Sequence, residues 1–360
     1  MEKEVLDFTS PSPCRAAIER MSSGLAAPRL SPQDLKAPLE AIYDLVGASV
    51  EDTFVFLSSE AEAIHHLFWS LYFEVARKEG KSHIIASALE DAPTMLMLKK
   101  LEELGCTVKI APTRRDGRLD LERLKELINP RTAFITLSVA QGQTGAIQPF
   151  EEAIQLAKEK NVLIHLNASH AVGKLYFAFK DLGADYLTFS GDWIHSVPGT
   201  AALFAKKGKP CHPAPVGGFP QAQLLALSAA AIQASLMLDS TCIETARLRD
   251  LFESEIVRLC PRAQPLFKEE LRLPNVSAIL FPKIHAEALL YLIQRQGVYP
   301  QIGGSFSQHL HRLLFASGIQ EGESALSFSL NRTQGEKEIL RAAKIVAESA
   351  NSLMKLSEDL

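Results

Sequence analysis

Val162–Gly208 reads VLIHLNASHAVGKLYFAFKDLGADYLTFSGDWIHSVPGTAALFAKKG. Two short runs in it, Val162–Leu166 and Tyr186–Phe189, carry the β-branched and aromatic residues that suit a strand, and each passes into small polar residues. Similar runs recur upstream at Thr53–Leu57, His83–Ala86, Thr107–Ile110 and Ala133–Leu137. Helical patterns separate them. Between Ala61 and Glu79 the residues Ile64, Leu67, Phe68, Leu71, Tyr72 and Val75 fall at helical spacing, and Gly80 supplies a stop. Ser31-Pro32-Gln33-Asp34 offers an N-cap, a proline at the first helical position and a first-turn acid. Strands alternating with helices in this way predict a largely parallel sheet sandwiched by helices.

The chain has 360 residues, enough for two domains with their own cores, and 47% of them are hydrophobic. Its 38 basic and 42 acidic residues give a net charge of −4, and neither sign clusters into a run of about five or more, so no nucleic-acid footprint is visible. The first residues, MEKEVLDF, are charged where a secretory signal needs an apolar core, which points to a cytoplasmic location. The most apolar stretch, Leu224–Leu238, is broken by Ser228, Gln233 and Ser235 and is shorter than the roughly 20 residues of a membrane span. It is expected to be a buried helix. The five cysteines form no Cys-x-x-Cys pair, which fits reduced thiols and gives no zinc site.

After about residue 208 the pattern changes to a Pro/Gly-rich passage, two helices reaching Leu259, then strand, helix, strand and a last helix from about Gly335 to Leu356. The expected division is an N-terminal segment, 1–30, packing on the smaller domain; a large α/β domain, 31–208; a linker and connecting helix, 209–245; and a smaller α+β domain, 246–360.

Within Val162–Gly208, Ala171-Val172-Gly173-Lys174, Ser190-Gly191 and Pro198-Gly199 stand in the register of the cysteine desulfurases of the class V aminotransferase family, which the passage resembles. Ser324–Leu340, with Phe328-Ser329-Leu330-Asn331-Arg332 at its centre, resembles the closing strand and helix of the same family. Weaker echoes lie at Val5-Leu6-Asp7, Gly117-Arg118-Leu119-Asp120 and Gln143-Thr144-Gly145. The resemblance implies a pyridoxal-phosphate (PLP) fold of type I, α/β with a mainly parallel sheet, and PLP as the family cofactor.

The family chemistry needs a lysine amine for the cofactor aldehyde. At the family's His-Lys pair this chain has Asp192-Trp193, and an indole cannot form an imine. Lys174 matches a family lysine without a catalytic role and is expected to be an exposed helix or loop residue. The aspartate that keeps the cofactor ring protonated corresponds to Asn167. The Gly-Thr turn that holds the phosphate corresponds to Ser59-Glu60-Ala61, where Glu60 is expected to be a first-turn acid. The histidine stacked on the ring corresponds to Asp91, and the asparagine at its hydroxyl to Gly142. The carboxylate-binding arginine corresponds to Ser327, and the loop cysteine to Ser307 of Gly303-Gly304-Ser305-Phe306-Ser307. His170 and Ser190 complete the vestigial pocket. The family segment that reaches the partner subunit's phosphate is expected to be deleted between Gly217-Gly218 and Leu224.

The reading that follows is a cysteine desulfurase-like homologue with no catalytic residue retained and no covalent cofactor, with weak non-covalent PLP binding left open. It would act by binding a protein in sulfur or iron–sulfur metabolism: itself, an active desulfurase, or a sulfur or iron–sulfur scaffold protein. Leu224–Leu238 offers an interface for a homodimer; nucleic acid and membrane are not expected partners. The alternative is an enzyme that uses PLP or its aminated form without a Schiff-base lysine, with His195 two residues past Trp193. A further option is a new pocket of His165, His170, Asp192 and His195, against the blander expectation that His165 and His170 are satisfied by neighbours; no metal is expected.

Overall fold

The computed structural model describes residues 6–9, 11–26, 30–212, 220–304 and 307–358. In chain order the elements are β1 (Leu6–Asp7), α1 (Arg15–Ala26), α2 (Lys36–Val46), β2 (Thr53–Leu57), α3 (Glu60–Leu71), α4 (Arg77–Glu79), β3 (His83–Ser87), α5 (Ala92–Glu103), β4 (Thr107–Ala111), α6 (Leu121–Leu127), β5 (Thr132–Ser138), α7 (Phe150–Glu159), β6 (Leu163–Asn167), α8 (Phe179–Leu182), β7 (Tyr186–Ser190) and β8 (Ala201–Ala205). The remainder comprises α9 (Gln221–Leu236), α10 (Leu238–Leu259), β9 (Gln264–Pro265), β10 (Val276–Leu280), α11 (Ala286–Gln294), β11 (Val298–Tyr299), α12 (Leu310–Ala316), β12 (Ala325–Ser329) and α13 (Glu336–Glu358). The expected deletion beside Gly217-Gly218, and Ser305-Phe306 of the loop, lie outside the described residues.

All six runs read from the sequence are strands of one seven-stranded sheet, in the order β2-β8-β7-β6-β5-β3-β4. Only β8 runs against its neighbours β2 and β7, so the sheet is mainly parallel as expected. Alternate residues of each strand feed two cores. Ile135, Leu137, Ile164, Leu166, Leu187 and Phe189 point into one, which includes Ile154 of α7 and Leu224 and Leu227 of α9. Val55, Ile84, Phe134 and Tyr186 point into the other, against Leu67 and Phe68 of α3 and Met97 of α5. His165 lies on the second face, with its ring 5.9 Å edge-on to Phe68, and the strand period puts Asn167 on that face too.

Helix α3 continues through a π-helical turn, Tyr72–Ala76, into α4, and Gly80 ends it with φ +71°. The Ser31–Asp34 pair forms, with Ser31 Oγ donating to Asp34 Oδ2 at 2.7 Å and Asp34 N to Ser31 Oγ at 3.3 Å. It closes a turn of its own, so regular helix begins only at Lys36.

Beyond the large sheet, β9, β10 and β12 form an antiparallel sheet and β1 pairs with β11 in parallel. Phe8, Phe252 and Phe328 meet at centroid distances of 4.9 to 5.7 Å in the core under them. The N-terminal segment divides between the two parts. Leu6 and Phe8 join this core, while Ala17 of α1 is buried in the large-sheet core with α9. Helix α9 is buried along Leu224, Leu227, Ala230 and Ala231, with Ile232 and Leu236 left exposed. No single helix among the described residues is long and apolar enough to cross a membrane.

Candidate functional site

The C-terminal ends of β3, β5, β6 and β7 and the N-terminus of α3 converge on one place, the usual location for a ligand in an open α/β sheet. Here the space is taken by the chain's own side chains. Asn167, the last residue of β6, donates from Nδ2 to Glu60 Oε1 at 2.6 Å, and its Oδ1 accepts from Ser169 N at 3.1 Å. Glu60 is therefore more than a first-turn acid. Helix capping falls to its neighbours instead: Ser59 Oγ accepts from Glu62 N at 3.1 Å, and Glu62 Oε2 accepts from Ser58 N at 2.6 Å and Ser58 Oγ at 2.5 Å. With the cap satisfied, the Glu60 carboxyl is free to turn inward. Burial, and Asp91 next, push its pKa up, against His170 and the Asn167 bond.

Asp91 and His170 form the second pair, Oδ2 to Nε2 at 3.3 Å, both nearly buried. Gln141 Nε2 approaches Asp91 Oδ1 at 3.5 Å. The His170 ring lies 4.3 Å from the Trp193 ring, centre to centre. Its other side rests on Gly142, where a methyl group would overlap the ring. Glycine at 142 is thus what admits His170 to this position.

Glu90, which no motif singles out, is fully buried beside this cluster. Ser138 N donates to its Oε1 at 2.8 Å, and Ser138 Oγ lies 3.1 Å from Oε2. Burial pushes its pKa up to about 8, with Asp91 and Glu60 adding to the shift, so at neutral pH Glu90 is mostly a carboxylic acid. Its only sequence signal is a pair of adjacent acids, Glu90-Asp91, at a strand-to-helix junction.

The remaining sites named from the sequence have structural partners. Ser190 Oγ donates to the exposed Asp192 Oδ2 at 3.0 Å and starts the 3-10 turn Gly191–Ile194 that carries Trp193. Ala61, in the first turn of α3, offers only a methyl group. Ser327 is buried and donates to the Gln143 carbonyl at 2.7 Å, tying β12 to the Gln141–Gly145 loop. Ser307 pairs through its backbone with Gly304. The next residue staples this loop down, since Gln308 Nε2 donates to the Glu90 carbonyl at 2.5 Å and its own carbonyl accepts from Gln143 Nε2 at 2.5 Å.

The four-residue pocket does not assemble. His165 is buried between Thr136 Oγ1 and Thr188 Oγ1, 2.9 Å from each, as the blander reading expected, and burial lowers its pKa to about 3. His195 Nδ1 donates to the Ser12 carbonyl at 2.8 Å, and Cys14 N donates to the His195 carbonyl at 2.8 Å, so this residue latches the N-terminal segment. Lys174 is not exposed. It is half-buried, and its Nζ donates to the Trp193 carbonyl at 3.0 Å. Among the described residues no group of three or more His, Cys, Asp or Glu is arranged to hold a metal ion.

The mainly parallel sheet with flanking helices has the α/β architecture of PLP fold type I. A family model, aminotransferase class-V, matches residues 33–237. The chain belongs to the class-V aminotransferase family. It is 28% identical over 337 residues to a cysteine desulfurase of Cereibacter sphaeroides, covering 90% of this chain and 86% of that one. To the cysteine desulfurase NifS of Azotobacter vinelandii it is 27% identical over 338 residues, covering 90% and 83%. Among solved structures, a NifS-like protein superposes with a TM-score of 0.87 at 23% identity, covering 97% of this chain and all of that one. A NifS-like protein from Rickettsia africae gives 0.83 at 20%, with the same coverage.

The residues present do not fit PLP. Trp193 brings no amine, and the nearby Lys174 belongs to a cleft whose lining includes Trp193 but not His170, Asp91, Asn167 or Glu60. The N-terminus of α3, where a phosphate would sit, is capped by Ser59 and Glu62 and carries Glu60. Two like charges about 4 Å apart repel by roughly 4 kcal/mol at an effective dielectric of 20.

Proposed function

We propose that this chain is a non-catalytic, cytoplasmic member of its family that works by binding a protein of sulfur or iron–sulfur metabolism. The observation that carries the reading is the mutual satisfaction of Asn167 with Glu60 and of His170 with Asp91 where a cofactor would lie. A carboxylate paired with an amide serves no step that a pyridinium-stabilising aspartate serves, and the indole of Trp193 supplies no nucleophile. The curated relatives are named cysteine desulfurases, so an active desulfurase or its sulfur-accepting partner is the protein class to test. The use of an aminated cofactor with His195 in the lysine's role is disfavoured, because His195 is bonded to Ser12.

The test is direct. The purified chain should be colourless, gain no aldimine absorbance with PLP, and release no sulfide from cysteine. A yellow protein whose imine is trapped by borohydride would overturn the reading. Affinity capture from the native cell, with the active desulfurase and the iron–sulfur scaffold as quantified targets, tests the binding role separately.

A further inference from the structure

A cleft on the other flank of Trp193 has no part in the reading above. It opens where the Gly173-Lys174 turn and the 3-10 turn meet α10 and the Asn331-Arg332 turn that follows β12. Lys174, His195 and Arg332 line it, and among the described residues no acidic side chain does. Lys174 Nζ donates only to the Trp193 carbonyl among the described residues, which leaves two of its three protons unassigned. Arg332 is half-buried and pairs with the Cys14 thiol, not with a carboxylate, among the described residues. The Cys242 thiol donates to the Lys174 carbonyl at 3.2 Å and acts electrostatically on the Lys174 amine, where again no carboxylate does.

Partly buried charges in proteins are ordinarily paired. Two cations sharing a cleft with no carboxylate repel each other, and an anion between them would resolve the conflict. Burial and Arg332 also push the Lys174 pKa down, to about 8, the response of a cation lacking a counter-ion. Asn275 adds a second, independent feature. It is 5% exposed and lines the cleft, its Nδ2 is used on Ser329 Oγ and the Leu330 carbonyl, and its Oδ1 has no partner. An orphaned buried acceptor calls for a donor.

We infer that the cleft between Lys174 and Arg332 binds a compact oxyanion that still carries a proton, of which hydrogenphosphate is the simplest. The anionic oxygens would sit between the ammonium and the guanidinium, and the remaining O–H would face Asn275 Oδ1. The inference does not depend on the protein-binding reading, because it concerns a different cleft and a small ligand.

Trp193 lines this cleft, and Trp69 is the only other tryptophan in the chain. A Trp69→Phe full-length background therefore makes Trp193 emission a site-specific probe. Titration with inorganic phosphate at constant ionic strength should give a saturable change that chloride does not give. Lys174→Met and Arg332→Gln should each weaken it by about tenfold or more, the scale of one lost charge-assisted bond. Lys174→Met removes a cation that lacks a counter-ion, so it should fold at least as stably as the parent and remain interpretable if Arg332→Gln does not. A Lys209→Met control, away from the cleft, should titrate like the parent. No saturable response, or one unaltered by Lys174→Met, overturns the inference. Sulfate, which has no proton at neutral pH, should bind several-fold more weakly; equal affinity overturns the role given to Asn275.

Discussion

Replacing Glu90 by glutamine should stabilise the protein, and by an amount that depends on pH. Glu90 is fully buried and its pKa is raised from an ordinary 4.5 to about 8. The sign follows from linkage. Below pH 4.5 the folded and unfolded states both hold the proton and nothing is lost. As pH rises, the unfolded chain releases its proton first, so folding stability falls until the folded state also ionises near pH 8. At about 1.4 kcal/mol per pH unit, the loss reaches roughly 3 kcal/mol at pH 7 and is under about 1 kcal/mol at pH 5.

Glutamine mimics the protonated form. Its oxygen can accept from Ser138 N and its amide can donate to Ser138 Oγ, the two contacts Glu90 makes now. Glu90→Gln should therefore recover most of the loss. At about 2.1 cal/mol/K of unfolding entropy per residue, 3 kcal/mol corresponds to a rise of about 4 °C in Tm for 360 residues. The assay is calorimetry or denaturant melts of both proteins at pH 5, 6, 7 and 8. A gain that grows across this range supports the assignment. A pH-independent difference, or a less stable variant at pH 7, would show that Glu90 is ionised in the fold and that the acid cluster is more hydrated than its burial indicates.

His165, held neutral between two threonines with a pKa near 3, has the opposite profile. Stability should be lost as pH falls below the unfolded value of about 6.5, by up to about 1.4 kcal/mol per unit, and His165→Gln should flatten that acid limb in melts taken from pH 7 to 4. Gly142→Ala should cost about 1 to 3 kcal/mol through overlap with the His170 ring, and His170→Ala in the same chain should relieve most of it, which a double-mutant cycle measures. Gln308→Ala should speed amide exchange at Gly304 and Leu310, whose backbone bonds lie in the stapled loop, while the amides of α13 stay unchanged; equal protection would show that the staple is dispensable. Trp193→Lys should restore neither an aldimine spectrum nor sulfide release, and turnover from that one change would refute the account of the site.

What the sequence revealed depended on how local the signal was. The strands with β-branched residues were legible, and so was the buried helix at Leu224–Leu238, because their periodicity reflects the sheet faces directly. Strand β8, Ala201–Ala205, carries no β-branched residue and gives no strand signal, since alanine has no strand preference; pairing on both sides makes it a strand. The inward contacts of Glu60, a first-turn acid as expected, and of Lys174, expected to be exposed, are hidden from the sequence for a different reason. A first-turn acid and a turn lysine face solvent by default, and only the approach of Asn167 in one case and of the Trp193 carbonyl in the other turns them inward. Glu90 and Asn275 had no local signal, because burial of a polar side chain is set by elements distant in sequence.

The manner in which the site was filled separates decay from repacking. A cofactor pocket that merely lost its ligand groups would leave buried donors and acceptors without partners, each costing about 1 to 3 kcal/mol. Among the described residues five buried side-chain atoms lack a partner, and two of them, Gln143 Oε1 and Thr94 Oγ1, belong to the segments that carry Gly142 and Asp91, while Asn167, Asp91 and His170 themselves are all paired. Each substitution there instead has a complement: Asn167 meets Glu60, His170 meets Asp91, and Gly142 makes the room His170 needs. Such a network resists piecemeal reversal. An amine introduced at position 193 would enter beside His170 and its partner Asp91, whose carboxylate favours the ammonium form, and an ammonium attacks no aldehyde. On the reading proposed above, the glutamate at 60, the aspartate at 91 and the glycine at 142 would have to change together before the amine mattered. On that reading, the same packing that leaves a cofactor no partners gives this face one fixed shape, which is what recognition of a protein partner requires.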